Sequence, residues 1–433
     1  MTPFWAWVYN CMVKASLVSL LAIILASALA QLASSALMTS LPLQIASSGG
    51  SVSQAGLVAS AYSLGFMAGC IRGVRLITRI GHIRAFAGAA SLTALLVLLF
   101  KNTEGIIFWT ALRFFMGAAF AVLFATADAW LNETIVDQVR GRVLAVNSIV
   151  IGAMAILSQF FIAHFADVPL QMLEILSAIL LTAVVLLCMT RSVPPRTYKT
   201  KRIKLRELWD RAPVAVLGAF ASGAIVTSLL TVVPFTLAEE GVGPSTTALM
   251  IAMLYIGRLM FQWPLGSLAD RIDRRWVILA SSALITVIVV GFWIADPLAG
   301  WNSSFLHNYH LLTLVGLILI VLGGLSFPLQ SICAAHAFER RPESSIALST
   351  YLLLIWAAGS VAGPSLISLL SPVLDNRAPD VVVIVLSGSL ALFTAYRLYV
   401  MRLFVIRRSS IHLYPTAADM PYTSYHQAQA TEK

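Results

Sequence analysis

Charge is scarce in this sequence. Only 11% of its 433 residues are Asp, Glu, Lys or Arg, against about 25% in soluble globular domains. A water-facing surface cannot be covered on that supply, and a disordered chain needs more charge still, so both classes are excluded. Cysteine is also rare. Cys11, Cys70, Cys188 and Cys333 lie far apart with no CxxC spacing, which gives no support to a metal or redox site. There is no nucleotide-binding loop, no HExxH pair and no nucleophile elbow. His307 and His310 alone make a poor metal pair. The expectation is therefore no enzyme, no cofactor and no metal. Acids number 19 against 29 Lys and Arg. In so apolar a chain that excess reads as basic loops on one side of a membrane rather than as a nucleic-acid surface.

What the sequence has is apolar length. Hydrophobic residues make up 59% of the chain and mean hydropathy is +0.87. That is enough for roughly twelve spans of ~20 apolar residues each, with almost nothing left for an extramembrane domain. The pattern predicts spans at 16–40, 52–73, 85–100, 105–131, 143–164, 170–190, 213–237, 245–269, 276–295, 310–333, 345–371 and 379–403. They must be helices, because lipid offers no partner to an open backbone group. The first apolar run is too long for the core of a signal peptide.

The basic residues set the topology. With the amino terminus in the cytoplasm, all but four of the 29 Lys and Arg fall at cytoplasmic positions, notably Arg72, Arg75, Arg79, Arg84, Arg140, Arg142, Arg271, Arg274, Arg275, Arg340 and Arg341. The exceptions are Lys101, Arg377, Arg113 and Arg258. Both termini are then cytoplasmic. The polar run 191–212, with Pro194, Pro195 and eight basic residues, divides the chain. The expected organisation is an amino-terminal six-helix bundle over 1–190, a basic cytoplasmic loop over 191–212, a carboxy-terminal six-helix bundle over 213–406 and a disordered cytoplasmic tail over 407–433. Each half has a tight basic turn between its second and third spans, at Thr78–Arg84 and at Asp270–Arg275.

These turns carry a resemblance. Gly266-Ser-Leu-Ala-Asp270-Arg271-Ile-Asp273-Arg274-Arg275 resembles the G-x-x-x-D-R-x-G-R-R signature of the major facilitator superfamily, with Asp273 where that family usually has glycine. The amino-half copy keeps Arg79, Gly81 and Arg84 but has Thr78 in place of the acid. Further strings are similar to the YcaD-like transporters of that superfamily. They include Leu41-Pro42-Leu43, Ser60-Ala61-Tyr62-Ser63-Leu64-Gly65-Phe66, Ala129-Trp130-Leu131-Asn132, Arg140-Gly141-Arg142, Gln262-Trp263-Pro264 and His336-Ala337. The fold class that follows is an all-α membrane protein of twelve transmembrane helices in two six-helix bundles. The resemblance implies a secondary active transporter of the bacterial inner membrane, working by alternating access on a small organic solute. Proton coupling is common in that family, but the sequence shows no clear central carrier, so coupling stays open; a monomeric state, with the lipid bilayer as the remaining partner, is expected. A transporter-fold protein used for sensing or assembly is the alternative.

The resemblance also implies a conformational latch at the cytoplasmic turns. Its candidates are Asp270, Arg271, Arg274 and Arg275 in the carboxy half. In the amino half they are Arg79, Arg84, Arg140 and Arg142 with Asp128 or Glu133 as the anion. Asp128 lies some 23 residues into its span, ~35 Å at 1.5 Å per residue, which puts it at the cytoplasmic rim rather than at mid-depth. Two arginines fall within spans. Arg258 is twelve residues before Asp270, ~18 Å above the cytoplasmic end. An Arg at that depth costs about 2.5–3.5 kcal/mol to insert and cannot shed its charge, so it must face protein, water or a ligand. Arg258 and Arg113 are thus candidate anion contacts. Gln31, Gln330 and Tyr62 join them as candidates on helices that line the central cavity in the family. Gly65, Gly69 and Gly73, and likewise Gly359 and Gly363, mark close helix contacts and rocking surfaces.

Overall fold

The computed structural model describes residues 3–101, 105–134, 140–189, 205–299, 309–340, 345–374 and 377–409. The described chain is helical: α1 (Pro3–Ser47), α2 (Val52–Ile80), α3 (His82–Lys101), α4 (Ile106–Thr134), α5 (Arg140–His164), α6 (Pro169–Cys188), α7 (Leu205–Arg211), α8 (Pro213–Glu239), α9 (Pro244–Arg271), α10 (Arg274–Ala299), α11 (Tyr309–Arg340), α12 (Ser345–Leu374) and α13 (Ala378–Ser409). All but α7 are long and apolar enough to cross a membrane. The first span runs on to Ser47, past the expected end at 40, because Pro42 lies inside the helix and does not end it. The last helix continues to Ser409, past the expected boundary at 406, and α7 forms inside the segment expected to be loop. The rest of the expected tail lies outside the described residues.

Local chemistry starts and stops these helices. Ser51 and Gln54 form a reciprocal capping box at the start of α2, which satisfies two otherwise orphaned amides. Pro169, Pro213 and Pro244 occupy first-turn positions, where a missing N–H costs nothing. Gly81 ends α2 at φ 86°, a conformation that glycine adopts without a Cβ penalty.

Two six-helix bundles result, and they repeat one packing plan. In the amino half α2 packs on α4, α1 on α5 and α6, and α3 on α4 and α6. In the carboxy half α9 packs on α11, α8 on α12 and α13, and α10 on α11 and α13. The tightest crossings are reciprocal glycine contacts. A Cβ on Gly65 would collide with the Phe114 carbonyl, and one on Gly117 with the Tyr62 carbonyl. Gly257 meets the Ile320 carbonyl and Gly323 the Leu254 carbonyl in the same way. These crossings join helices of one bundle, so Gly65 and Gly69 hold α2 against α4 and do not form a surface between the halves. Gly223 against the Trp356 carbonyl and Gly359 against the Phe220 carbonyl likewise join α8 to α12 inside the carboxy half. The halves meet chiefly through α2 with α12, α5 with α9 and α1 with α8. Large apolar side chains such as Ile107, Val287, Leu369 and Leu392 point outward and exposed, as a lipid-facing surface requires.

Candidate functional site

A cavity of about 450 Å³ lies between the two halves. Its walls come from α1, α2 and α4 on one side and α8, α9, α11 and α12 on the other. It is closed at the end away from the basic turns. There Ser53 Oγ donates to the Ser368 carbonyl at 2.9 Å and Ser368 Oγ to the Ser53 carbonyl at 2.8 Å. One turn deeper, Ser365 Oγ bonds Ser60 Oγ at 3.0 Å. Gly56 lets α2 approach the Pro364 carbonyl, where an added Cβ would stand 2.6 Å away. A buried layer of Ile45, Val52, Ala55, Val58, Phe235, Ile367 and Val382 fills in behind these bonds. On the basic side the cavity reaches Phe124, Gln262, Ser331 and Ala334. Below its centre α5 touches α9 through Gln262 Nε2 and Ser148 Oγ at 3.3 Å.

Four of the five sequence-nominated contact residues line this cavity: Arg258, Gln31, Gln330 and Tyr62. Arg258 is half-buried, with its guanidinium 5.4 Å from the Phe327 ring centroid. Tyr255 stacks toward the same ring at 5.6 Å. Gln31 Nε2 donates to Ser35 Oγ at 2.8 Å, which steers that amide along α1. Gln330 Oε1 is buried without a hydrogen-bond partner, an acceptor left for something in the cavity. Tyr62 Oη sits 3.4 Å from Ser34 Oγ. The cavity thus offers one fixed positive charge, amide and hydroxyl groups, and aromatic faces from Tyr62, Phe66, Phe124, Tyr255, Phe327 and Trp356.

Arg113 is not in that wall. It is 2% exposed and lies behind Tyr62, its guanidinium 4.3 Å from the Tyr62 ring centroid. Nη2 meets Met38 Sδ at 3.2 Å, while Nε and Nη1 have no partner. Tyr255 and Gln262 were not nominated from the sequence. They stand three before and four after Arg258, which puts them on its helical face, and that spacing was the available signal.

The basic turn of the carboxy half is a network within one bundle. Arg274 pairs with Asp270 at 3.0 Å, with the Glu339 carboxylate, and donates to the Ala335 carbonyl at 3.2 Å. Glu339, on α11, was not foreseen. Asp273 caps α10: its Oδ1 accepts from the Arg275 backbone N–H at 3.0 Å, and its Oδ2 from Arg275 Nη2 at 2.6 Å. The turn therefore forms without glycine, with Ile272 in extended backbone. Arg275 holds the Asp273 carboxyl below the usual carboxylate range by hydrogen bonding. Arg271 is exposed. In the amino half Arg79 and Arg84 are exposed, as is Asp128 near the basic end of α4. The side chains of Glu133, Arg140 and Arg142 lie outside the described residues.

The family model of the Major Facilitator Superfamily matches residues 23–240 and 215–413. The MFS-type transporter YcaD of Escherichia fergusonii is 26% identical over 342 residues, covering 78% of this chain and 85% of its own. Its Salmonella arizonae counterpart is 27% identical over 346 residues, with the same coverage. Among solved structures, a bacterial homolog of the human lysosomal transporter Spinster, in an inward-facing and unoccupied conformation, superposes with a TM-score of 0.69 at 12% identity, covering 88% of this chain and 97% of that one. The nucleoside transporter NupG superposes with a TM-score of 0.67 at 13% identity, covering 88% and 98%. At these identities the structures support the fold alone.

Proposed function

The chain belongs to the Major Facilitator Superfamily and is similar to its YcaD-like members, and from that premise we propose that it moves a small amphipathic organic anion across the cytoplasmic membrane by alternating access. Secondary transport is the family's work. The observation that carries the choice of solute is Arg258, a cation half-buried in an aromatic-lined cavity between the halves. A guanidinium binds carboxylate, sulfonate or phosphate oxygens in a forked geometry. The rings beside it suit an apolar body on the same molecule. The free Gln330 Oε1 favours a solute that also carries a hydroxyl or amide N–H.

In this reading the structure is the state open toward the basic side. The serine bonds between α2 and α12 and the apolar layer behind them form the outer gate. The opposite state would part those contacts and bring the basic ends together. Asp270, Arg271, Arg274 and Arg275, with the amino-half charges Arg79, Arg84, Asp128, Glu133, Arg140 and Arg142, are the proposed latch of that opposite state. The distribution of Lys and Arg supports an orientation with both termini in the cytoplasm.

The test compares two probes of one shape. p-Toluenesulfonate and neutral p-toluenesulfonamide are titrated against purified protein in a thermal-shift assay, where a ligand that binds the folded state raises its melting point. The sulfonate should stabilise and the sulfonamide should not. Arg258→Gln should abolish the response and Arg258→Lys should keep part of it. Equal responses to both probes, or an undiminished response in Arg258→Gln, would remove the anion reading.

A further inference from the structure

One charge stands in the cavity wall. Among the described residues that line the cavity, Arg258 is the sole ionised side chain. The other polar groups there are amides and hydroxyls, such as Gln31, Gln262, Gln330 and Thr227. No ion pair to Arg258 is formed among the described residues, and a guanidinium stays charged at any physiological pH. The acids Asp128 and Glu133 sit in the last turns of α4, at the basic rim and not in the lining.

This inventory has an electrical consequence. An empty cavity that changes sides takes a net charge of +1 from one aqueous face to the other. A cavity holding a monoanion takes none, because the anion cancels the guanidinium. Building on the transport function above, we propose that the carrier is electrogenic: the empty form crosses charged, the loaded form crosses neutral, and the inside-negative membrane potential drives net export of an organic monoanion. Among the described residues of the lining there is no carboxylate or imidazole to carry a proton, so any coupled proton would travel on the solute.

The direction follows from the sign. The potential draws the empty, positive form toward the state open to the cytoplasm. There the carrier loads an anion, crosses without electrical work, releases outside and is pulled back empty. Each cycle exports one negative charge. One charge across 100 mV is worth about 50-fold in concentration ratio, so the potential alone sustains an outward gradient of that order.

The proposal can be tested on the empty protein. Ser60 is 8% exposed inside the closed outer gate. Ser60→Cys, in a background with Cys11, Cys70, Cys188 and Cys333 changed to alanine, reports gate opening to a membrane-impermeant maleimide. Protein in liposomes is labelled from outside at potentials set by potassium gradients and valinomycin, with no solute present. The labelling rate should fall as the interior is made more negative, about 7-fold per 100 mV if the site crosses half the field. Arg258→Lys should keep this dependence and Arg258→Gln should lose it. Arg113→Gln should keep most of it, because Arg113 lies outside the cavity. Labelling that occurs but ignores voltage, or that responds equally in Arg258→Gln, would overturn the electrogenic proposal and leave alternating access standing. A loss of voltage response confined to Arg113→Gln would overturn it as well. Absence of labelling at every potential would instead overturn alternating access itself, and this proposal with it.

Discussion

Gly81 and Asp273 hold the same place in the two halves, the residue between the second and third spans of each bundle. In the amino half Gly81 turns the chain at φ 86°. In the carboxy half the chain turns through Ile272 in extended backbone, and Asp273 caps the next helix. The same contrast recurs at the charges. Thr78 and Arg79 face outward in one half, while Asp270 and its neighbours tie α9, α10 and α11 together in the other. Each half also has an arginine well inside a span, but Arg113 is dry and Arg258 faces the cavity. One backbone plan thus supports different polar furniture. The shared part is steric and reads as scaffold; the unshared part is where function is to be sought.

The steric part should break most severely, and equally in both halves. Gly65→Leu and Gly257→Leu each drive a side chain into a carbonyl of the neighbouring helix. Overpacking ordinarily costs about 1–3 kcal/mol; backbone against backbone leaves little room to yield, so the upper end or beyond is expected. Neither variant should give a monodisperse peak on size exclusion. Gly291→Leu, with open space around it, should behave as wild type. If one half tolerated the change, the packing plan would not be shared.

The arginines should respond in opposite ways. Arg113→Met removes a buried cation whose Nε and Nη1 have no partner. Replacing buried charge with an apolar side chain of similar volume often stabilises by about 1–4 kcal/mol, so the thermal midpoint of the closed-outside state should rise. Arg258→Met should leave that midpoint within a degree or two while abolishing the response to p-toluenesulfonate. A fall in the midpoint of Arg113→Met would mean that the guanidinium holds the amino half together.

How much of this was legible beforehand depends on the range of the contact. Spans, basic turns and the glycine faces are local in sequence, and hydropathy and spacing exposed them. The depth of Arg258 was local too. Arg113, nominated beside it from the outer half of its own span, is not in the wall: it packs against Met38 of α1 and Tyr62 of α2, and contacts with other helices are what one sequence does not encode visibly. The partnership of Arg274 with Glu339 joins residues far apart in the chain, and no spacing rule reaches it. The glycines of α2 announced a close contact but not its partner; that partner is α4 within the bundle, while the outer gate between the halves is made by serines.

The polar furniture of the carboxy turn should give smaller effects. Glu339→Gln removes one anion from Arg274, but Glu339 is 55% exposed, so solvent screening limits the loss to about 0.5–1 kcal/mol. Arg79→Gln in the amino half should change stability by less than about 0.5 kcal/mol. Chemical denaturation of both variants would show whether the halves differ energetically as they do in geometry.

The finest distinction belongs to Asp273, and it separates capping from charge. Asn caps a helix about as well as Asp, whereas Ala loses about 1 kcal/mol. Asp273→Ala should therefore lower the thermal midpoint and Asp273→Asn should lower it less, by the increment owed to pairing with Arg275. That increment has a defined pH dependence. Arg275 lowers the folded-state pKa of Asp273 below its unfolded value, near 3.9 for an ordinary Asp. The stabilisation is complete above about pH 4 and drains away as pH falls through the folded value. The gap between wild type and Asp273→Asn should hold constant from pH 7 to about pH 4 and close below it. A gap that widened in acid would show that the carboxylate opposes folding of the turn, and Gly81 would then be the better solution of the two.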